Sequence, residues 1–361
     1  MQRSNQSVIL LGLFLCLQAG CSVYPIRMVV VNDNDLEGKA DISLTAPNDE
    51  PYSIEGANNK NWDYRGQINR GTQQGNRSRV KYHSSYSLSR WMVVEGRMSS
   101  GRKYPVILDT GASLALFVND IHILENKLSI YPLKTNNDES VSWGMCRLPE
   151  LSIGEVTLVN WPCFYRGQHA EVQMFGLPIA RDKAVIMGLV ALREFKYIVF
   201  DNVKREAEFS LEEVFKPRNS DLWTQYSFVI EEDLGGNAFL FVKIPIAGEE
   251  IELQLDTGSG RGLAITEELW KRMRKKIRNV KLRKGRDLYP YIGWLACRRG
   301  VITELKVGGR TIKNAKISIF PNDSPLVEQC DGLLGMQFFQ DTTMVLDFER
   351  NLMWVKILRR S

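Results

Sequence analysis

Histidine is scarce in this sequence: His83, His122 and His169 are the only three among 361 residues. No two of them lie at metal-ligand or HExxH spacing, which excludes the usual zinc hydrolase arrangement. A GxSxG nucleophile elbow is missing, and so is a phosphate-cradling P-loop. None of Cys146, Cys163, Cys297 and Cys330 has CxxC spacing, so no cysteine metal site or dithiol redox motif is indicated. Excess charge is also lacking. The net charge of +5 is modest, and no nucleic-acid-binding module accompanies it, so no nucleic-acid partner is expected. What remains is an ordinary globular mix, 44% hydrophobic and 25% charged, on a chain long enough for two domains.

The one long apolar run, Val8 to Leu17, is too short to span a bilayer. In "MQRSNQSVILLGLFLCLQAGC" it follows a single arginine and precedes the small residues Ala19 and Gly20, the layout of a secretory signal over residues 1–21. The small-small-Cys ending resembles a bacterial lipoprotein signal, which implies lipidation of Cys21 and a membrane anchor at the cell envelope. Gln18 departs from that pattern, because leucine usually stands there and Leu17 lies one place early. A plain cleaved signal, giving a secreted or periplasmic soluble protein, is the alternative. Ser22 after the cysteine resembles an outer-membrane address, on the periplasmic side or at the cell surface. Export to an oxidising compartment would let the four later cysteines form two bridges in any of three pairings; buried free thiols are the other reading.

Residues 22–85 are polar and lack a sustained period of 2 or 3.6, which predicts a tether or a pro-segment rather than a core. "MVVV" (28–31) is the exception and suits an edge strand. From about residue 86 the chain repeats itself at an offset of 147. "RWMVVEGRMSSGRKYPVILDTG" lies over "NAFLFVKIPIAGEEIELQLDTG" without a gap, each a strand, a turn region and a second strand that runs into Asp-Thr-Gly. Asp109 thereby aligns with Asp256, and Gly188 of "VIMG" with Gly335 of "GLLG". Helical signals are few: Thr266 suits the N-cap of "EELWKRMRKKI", and Asn119 that of a short counterpart. The pattern predicts a mostly β chain with lobes at 86–215 and 226–361, joined by a linker at 216–225.

An apolar strand into Asp-Thr-Gly, followed 79 residues later by the glycine of an apolar-apolar-Gly segment, occurs in both halves. This resembles the aspartic protease signature. "LDTGA" is similar to the retroviral, retropepsin-like variant; "LDTGS" and "DGLLG" look more like pepsin. The resemblance covers roughly residues 86 to 358. It implies an all-β fold of two pseudo-symmetric, barrel-like lobes in one chain, a monomer, with the active site between them. It implies an aspartic endopeptidase with Asp109 and Asp256 as the catalytic pair, a peptide or protein substrate, and no metal or cofactor. Two carboxylates about 3 Å apart cannot both ionise, so they share one proton and act as general base and general acid on a water and a peptide carbonyl.

The flanking residues take roles by the same resemblance. Thr110 and Thr257 hydrogen-bond across the lobes. Gly111 and Gly258 let the backbone turn and aim amides at the carboxylates. Ser259 is placed to orient the outer oxygen of Asp256, where its counterpart Ala112 has no hydroxyl. A flap is expected before Cys146 and another before Cys297, with Trp143 and Trp294 as flap or substrate-wall aromatics, or as tryptophans packed on their own lobes. Pepsin's flap tyrosine has no clear match in "DESVSWGM". A last feature is "WKRMRKKIRNVKLRKGR" (270–286), with ten Lys or Arg and no acid. It reads as a solvated helix face with Leu269, Met273 and Ile277 inward, or as a surface for anionic lipid or an acidic substrate. A catalytically silent, peptide- or protein-binding lipoprotein on the same fold is the competing functional class.

Overall fold

The computed structural model describes residues 26–32, 72–85, 91–128, 130–132, 143–174, 177–233, 237–277, 280–289, 293–327 and 330–356. The signal-like residues 1–21, with Cys21, lie outside the described residues.

Each half is built on the same hairpin. In the first, strand Val93–Met98 returns through a turn with Gly101 in the left-handed region (φ +80°) as strand Lys103–Asp109. In the second, Ala238–Ile246 returns as Glu249–Asp256 through Ala247 and Gly248 (φ +52° and +78°), the backbone of a type I′ turn. Alternate residues Tyr104, Val106 and Leu108 are at most 2% exposed, as are Ile251, Leu253 and Leu255, so the period-2 pattern aims one row of apolar side chains into each core.

The strand ending at Asp109 then pairs in parallel with Val185–Gly188, whose other edge pairs antiparallel with Leu116–Asn119. The second half repeats this with Gly332–Gly335 parallel to Glu249–Asp256 and antiparallel to Leu263–Thr266. Residues of "VIMG" and "GLLG" are all buried, which is why both read as unbroken apolar runs. Short helices follow at the expected places. Asp120–Asn126 starts at Asn119, whose backbone N–H donates to His122 Nδ1 at 3.1 Å. Glu267–Met273 starts at Thr266, whose hydroxyl accepts from the Leu269 amide at 3.1 Å.

A run of six strands joins the halves: Arg77–Lys81, Glu206–Ser210, Tyr197–Asp201, Thr343–Asp347, Leu352–Lys356 and Trp223–Glu232. The central pair is antiparallel, with Val199 opposite Val345, and the two strands are repeat equivalents. Ile198, Phe200, Phe209, Leu346 and Met353 are fully buried on this sheet.

Two expectations about boundaries need correction. The first lobe begins before residue 86, because Arg77–Lys81 is a sheet strand inside the stretch expected as a tether. Shifted by 147 it falls at 224–228, within Trp223–Glu232, so the repeat starts about ten residues earlier than it reads. Its signal is hidden because "RSRVK" puts three cations outward, toward Glu206 and Glu208, and a polar Ser78 inward. Ser78 is 1% exposed, and its hydroxyl donates to the Ile153 carbonyl at 2.8 Å. Similarly, the expected linker at 216–225 ends in a helical turn, Ser220–Leu222, and the first residues of a strand. Ile26–Asn32, which contains "MVVV", does form an edge strand, on the hairpin Gln168–Met174/Leu177–Arg181.

A chain beginning at residue 86 is expected to melt well below one beginning at residue 71, since only the former loses the strand that covers Glu206–Ser210. Equal melting temperatures by scanning calorimetry would show that this strand is dispensable.

Candidate active site

The two Asp-Thr-Gly loops meet at the join between the halves, and threonines lock them together. Thr110 donates from its backbone N–H to the Thr257 hydroxyl oxygen at 3.0 Å, and Thr257 returns the same bond to Thr110 at 3.1 Å. Each hydroxyl then donates across the join: Thr110 to the Leu255 carbonyl at 2.6 Å, Thr257 to the Leu108 carbonyl at 2.7 Å. Both threonines are fully buried. Four mutual bonds with no solvent access contribute about 1 kcal/mol each, and leaving any partner unpaired costs more.

This lock sets the carboxylates of Asp109 and Asp256 side by side, within hydrogen-bonding reach of each other. The Gly111 and Ala112 amides donate to Asp109 Oδ1 at 2.8 and 3.2 Å. The Gly258 and Ser259 amides do the same for Asp256. The glycines are required by proximity. A Cβ at Gly258 would lie 2.3 Å from the Asp109 carboxyl carbon, and one at Gly111 would lie 2.8 Å from that of Asp256. Beneath the loops, the Gly188 amide donates to the Ala115 carbonyl and the Gly335 amide to the Gly262 carbonyl, both at 2.8 Å. A Cβ at either position would come within 2.3 Å of a loop carbonyl oxygen.

Asp256 is 8% exposed and Asp109 is half-buried. Burial pushes both carboxyls above the ordinary carboxylate range. Asp256 is raised further by the negative charge of Asp109, while the loop amides hold Asp109 back. The pair therefore retains a shared proton toward neutral pH and titrates as a unit.

The other expected residues fall as follows. The Ser259 hydroxyl accepts from the Arg261 amide at 3.3 Å and so supports the loop's own turn; it is the Ser259 backbone amide that serves Asp256. Trp294 is 53% exposed at the start of strand Gly293–Val307. Trp143 begins strand Trp143–Ile153, and its side chain lies outside the described residues, as do the hairpin tips at 133–142 and 290–292. In the basic stretch, Leu269 and Met273 are buried and Ile277 packs against the core. Lys271, Arg274, Lys275, Lys281, Arg283, Lys284 and Arg286 point to solvent.

Sequence reading missed a charged clamp. Asp287 is fully buried on strand Arg283–Tyr289. It takes Arg261, five residues after Asp256, at 2.9 Å, together with Arg299 and the Ser318 hydroxyl. The clamp ties the second Asp-Thr-Gly loop to the hairpin Arg283–Tyr289/Gly293–Val307. Two residues beyond Asp287, Tyr289 is 8% exposed, and its hydroxyl is buried without a hydrogen-bond partner among the described residues. Burial, Asp287 and Asp256 all push its pKa well above the usual phenol value. The only cue was a lone acid in a run of cations.

Residues 242–338 match the family model described as aspartyl protease. That stretch, which holds the second Asp-Thr-Gly loop and its "GLLG" strand, is similar to the aspartyl protease family. Among solved structures the chain is similar to the aspartic proteinase from Irpex lacteus, at 10% identity and a TM-score of 0.42, covering 78% of this chain and 97% of that one. It is also similar to basic 7S globulin from soybean, at 11% identity and a TM-score of 0.40 over 79% and 95% of the two chains. A retropepsin-like aspartic protease from Rickettsia conorii aligns at 18% identity and a TM-score of 0.26, over 37% of this chain and 95% of that one. No curated protein matches the chain.

The raised pKa values make a stability prediction. A carboxyl whose pKa is higher folded than unfolded weakens the fold as pH rises past its unfolded value. Asp256→Asn should therefore raise the melting temperature at pH 8 relative to wild type and have little effect at pH 3.5. An equal shift at both pH values would show that the carboxyl is not held protonated by burial.

Proposed function

We propose that this chain is an aspartic endopeptidase that hydrolyses peptide bonds at the bacterial cell envelope. One observation carries the reading: two carboxylates, Asp256 buried and Asp109 half-buried, each in an Asp-Thr-Gly loop with its own pair of amides, are locked side by side. With one proton shared between them, the ionised carboxylate takes a proton from a water as that water adds to the peptide carbonyl carbon. The protonated carboxyl donates to the carbonyl oxygen. The resulting tetrahedral diol collapses as a proton passes to the departing amine nitrogen, which leaves both carboxyls ready for another turnover. No covalent intermediate forms. The proton belongs to the pair, so whichever carboxyl is ionised acts as the base and the other as the acid.

A binding module on the same fold is less well supported, because all six Asp, Thr and Gly positions of the two motifs are intact. Asp109→Asn and Asp256→Asn should each lower peptide cleavage by about a thousandfold or more while keeping the fold. Cleavage should also fall as pH rises and the shared proton is lost. A peptide library digested equally well by either variant would overturn the reading.

For the location, the signal-like segment ending at Cys21 supports a lipid anchor. In a Gram-negative host, wild type should incorporate labelled palmitate and sediment with membranes, and Cys21→Ala should do neither. Unlabelled wild type in the soluble periplasmic fraction would favour the plain cleaved signal.

A further inference from the structure

We infer that Cys146 and Cys163 are a disulfide-forming pair that staples the first lobe's long hairpin. The hairpin is Trp143–Ile153 returning as Val156–Arg166 through a tight turn with Gly154 in the left-handed region (φ +61°). Its register holds from Ile153 opposite Val156 to Trp143 opposite Arg166 and places Cys146 directly opposite Cys163. Directly opposed residues of an antiparallel pair share one face of the sheet. Their Cα atoms are about 4.5–5.5 Å apart, inside the about 4.4–6.8 Å window that a disulfide needs. Both side chains are at most 1% exposed and belong to the same core cluster, so the thiols face each other there. In the structure all four described cysteines are thiols.

The other two have no such geometry. Cys297 lies opposite Gly285 across its own hairpin, and Cys330 follows residues 328–329 in a loop. Among the pairs open to the four cysteines, only Cys146 with Cys163 has opposed strand positions. The bond would span strands that reach opposite parts of the lobe. Cys146 also lies opposite Ile130, on the short strand before 133–142, while Phe164, next to Cys163, pairs with Phe117 of the strand beneath the Asp109 loop.

The chemistry is thiol–disulfide exchange with a small disulfide oxidant such as oxidised glutathione. The thiolate of one cysteine attacks the oxidant's S–S bond, forming a mixed disulfide and releasing one glutathione thiolate. The second cysteine, as thiolate, attacks the protein sulfur of that mixed disulfide and releases the other. Two protons leave the protein, its two sulfurs are oxidised by two electrons, and the oxidant becomes two thiols. Burial places this exchange during folding or local opening, and the finished bond is then shielded from reductants.

Trypsin separates the pair, because it cleaves after Arg147. Full-length protein refolded in oxidised and reduced glutathione, then alkylated and digested without reductant, should give peptide 135–147 linked to peptide 148–166. The oxidised protein should also melt about 6 °C higher than the same sample with dithiothreitol, a difference that is lost in Cys163→Ala. Separate, singly alkylated 135–147 and 148–166 peptides from folded protein would overturn the inference. So would linkage of either cysteine mainly to Cys297 or Cys330.

Discussion

The architecture depends on holding two carboxylates where they repel. Two full negative charges about 4 Å apart at an effective dielectric near 20 oppose each other by about 4 kcal/mol. The reciprocal bonds between Thr110 and Thr257 resist that push by using backbone groups of both loops, so neither loop can retreat without stranding a buried donor. Everything around the lock keeps it rigid. The "VIMG" and "GLLG" strands run under the loops and accept no side chain at their glycines, while the six-strand run fixes one half against the other. The shared proton then becomes the low-energy way to relieve the repulsion, which links the packing to the acid–base chemistry.

The parts that were legible in the sequence are those that repeat and those whose pattern is apolar. The hairpins into Asp-Thr-Gly, the two buried apolar-apolar-Gly strands and the capped helix at Thr266 all stand where the residues suggested. The parts that were not legible are polar on the inside. Arg77–Lys81 reads as tether because its cations face Glu206 and Glu208, and its inward residue is a serine satisfied by the Ile153 carbonyl. Asp287 reads as a stray acid because its value lies in contacts with Arg261 and Arg299, which are far from it in the chain or across a hairpin. Ser259 shows a subtler limit. Residue type pointed to its hydroxyl, but could not show that its backbone amide reaches Asp256 or that the Arg261 amide donates to the hydroxyl.

The exposed cations of the 271–286 stretch also belong to this contrast. The helix accounts for its inward apolar residues, and on the sheet strand beyond it Arg283, Lys284 and Arg286 are exposed. Within that strand the one buried acid draws two guanidinium groups inward against the general outward drift of charge.

That clamp has no described counterpart in the first lobe, which instead carries an extra strand pair and the segment Ile26–Asn32. Two identical chains around an axis would duplicate every such feature on both sides of the cleft. One continuous chain is free to make them once. The two halves are therefore chemically unlike: one ties its Asp-Thr-Gly loop to a hairpin through a buried acid and two guanidinium groups, and the other adds strands instead.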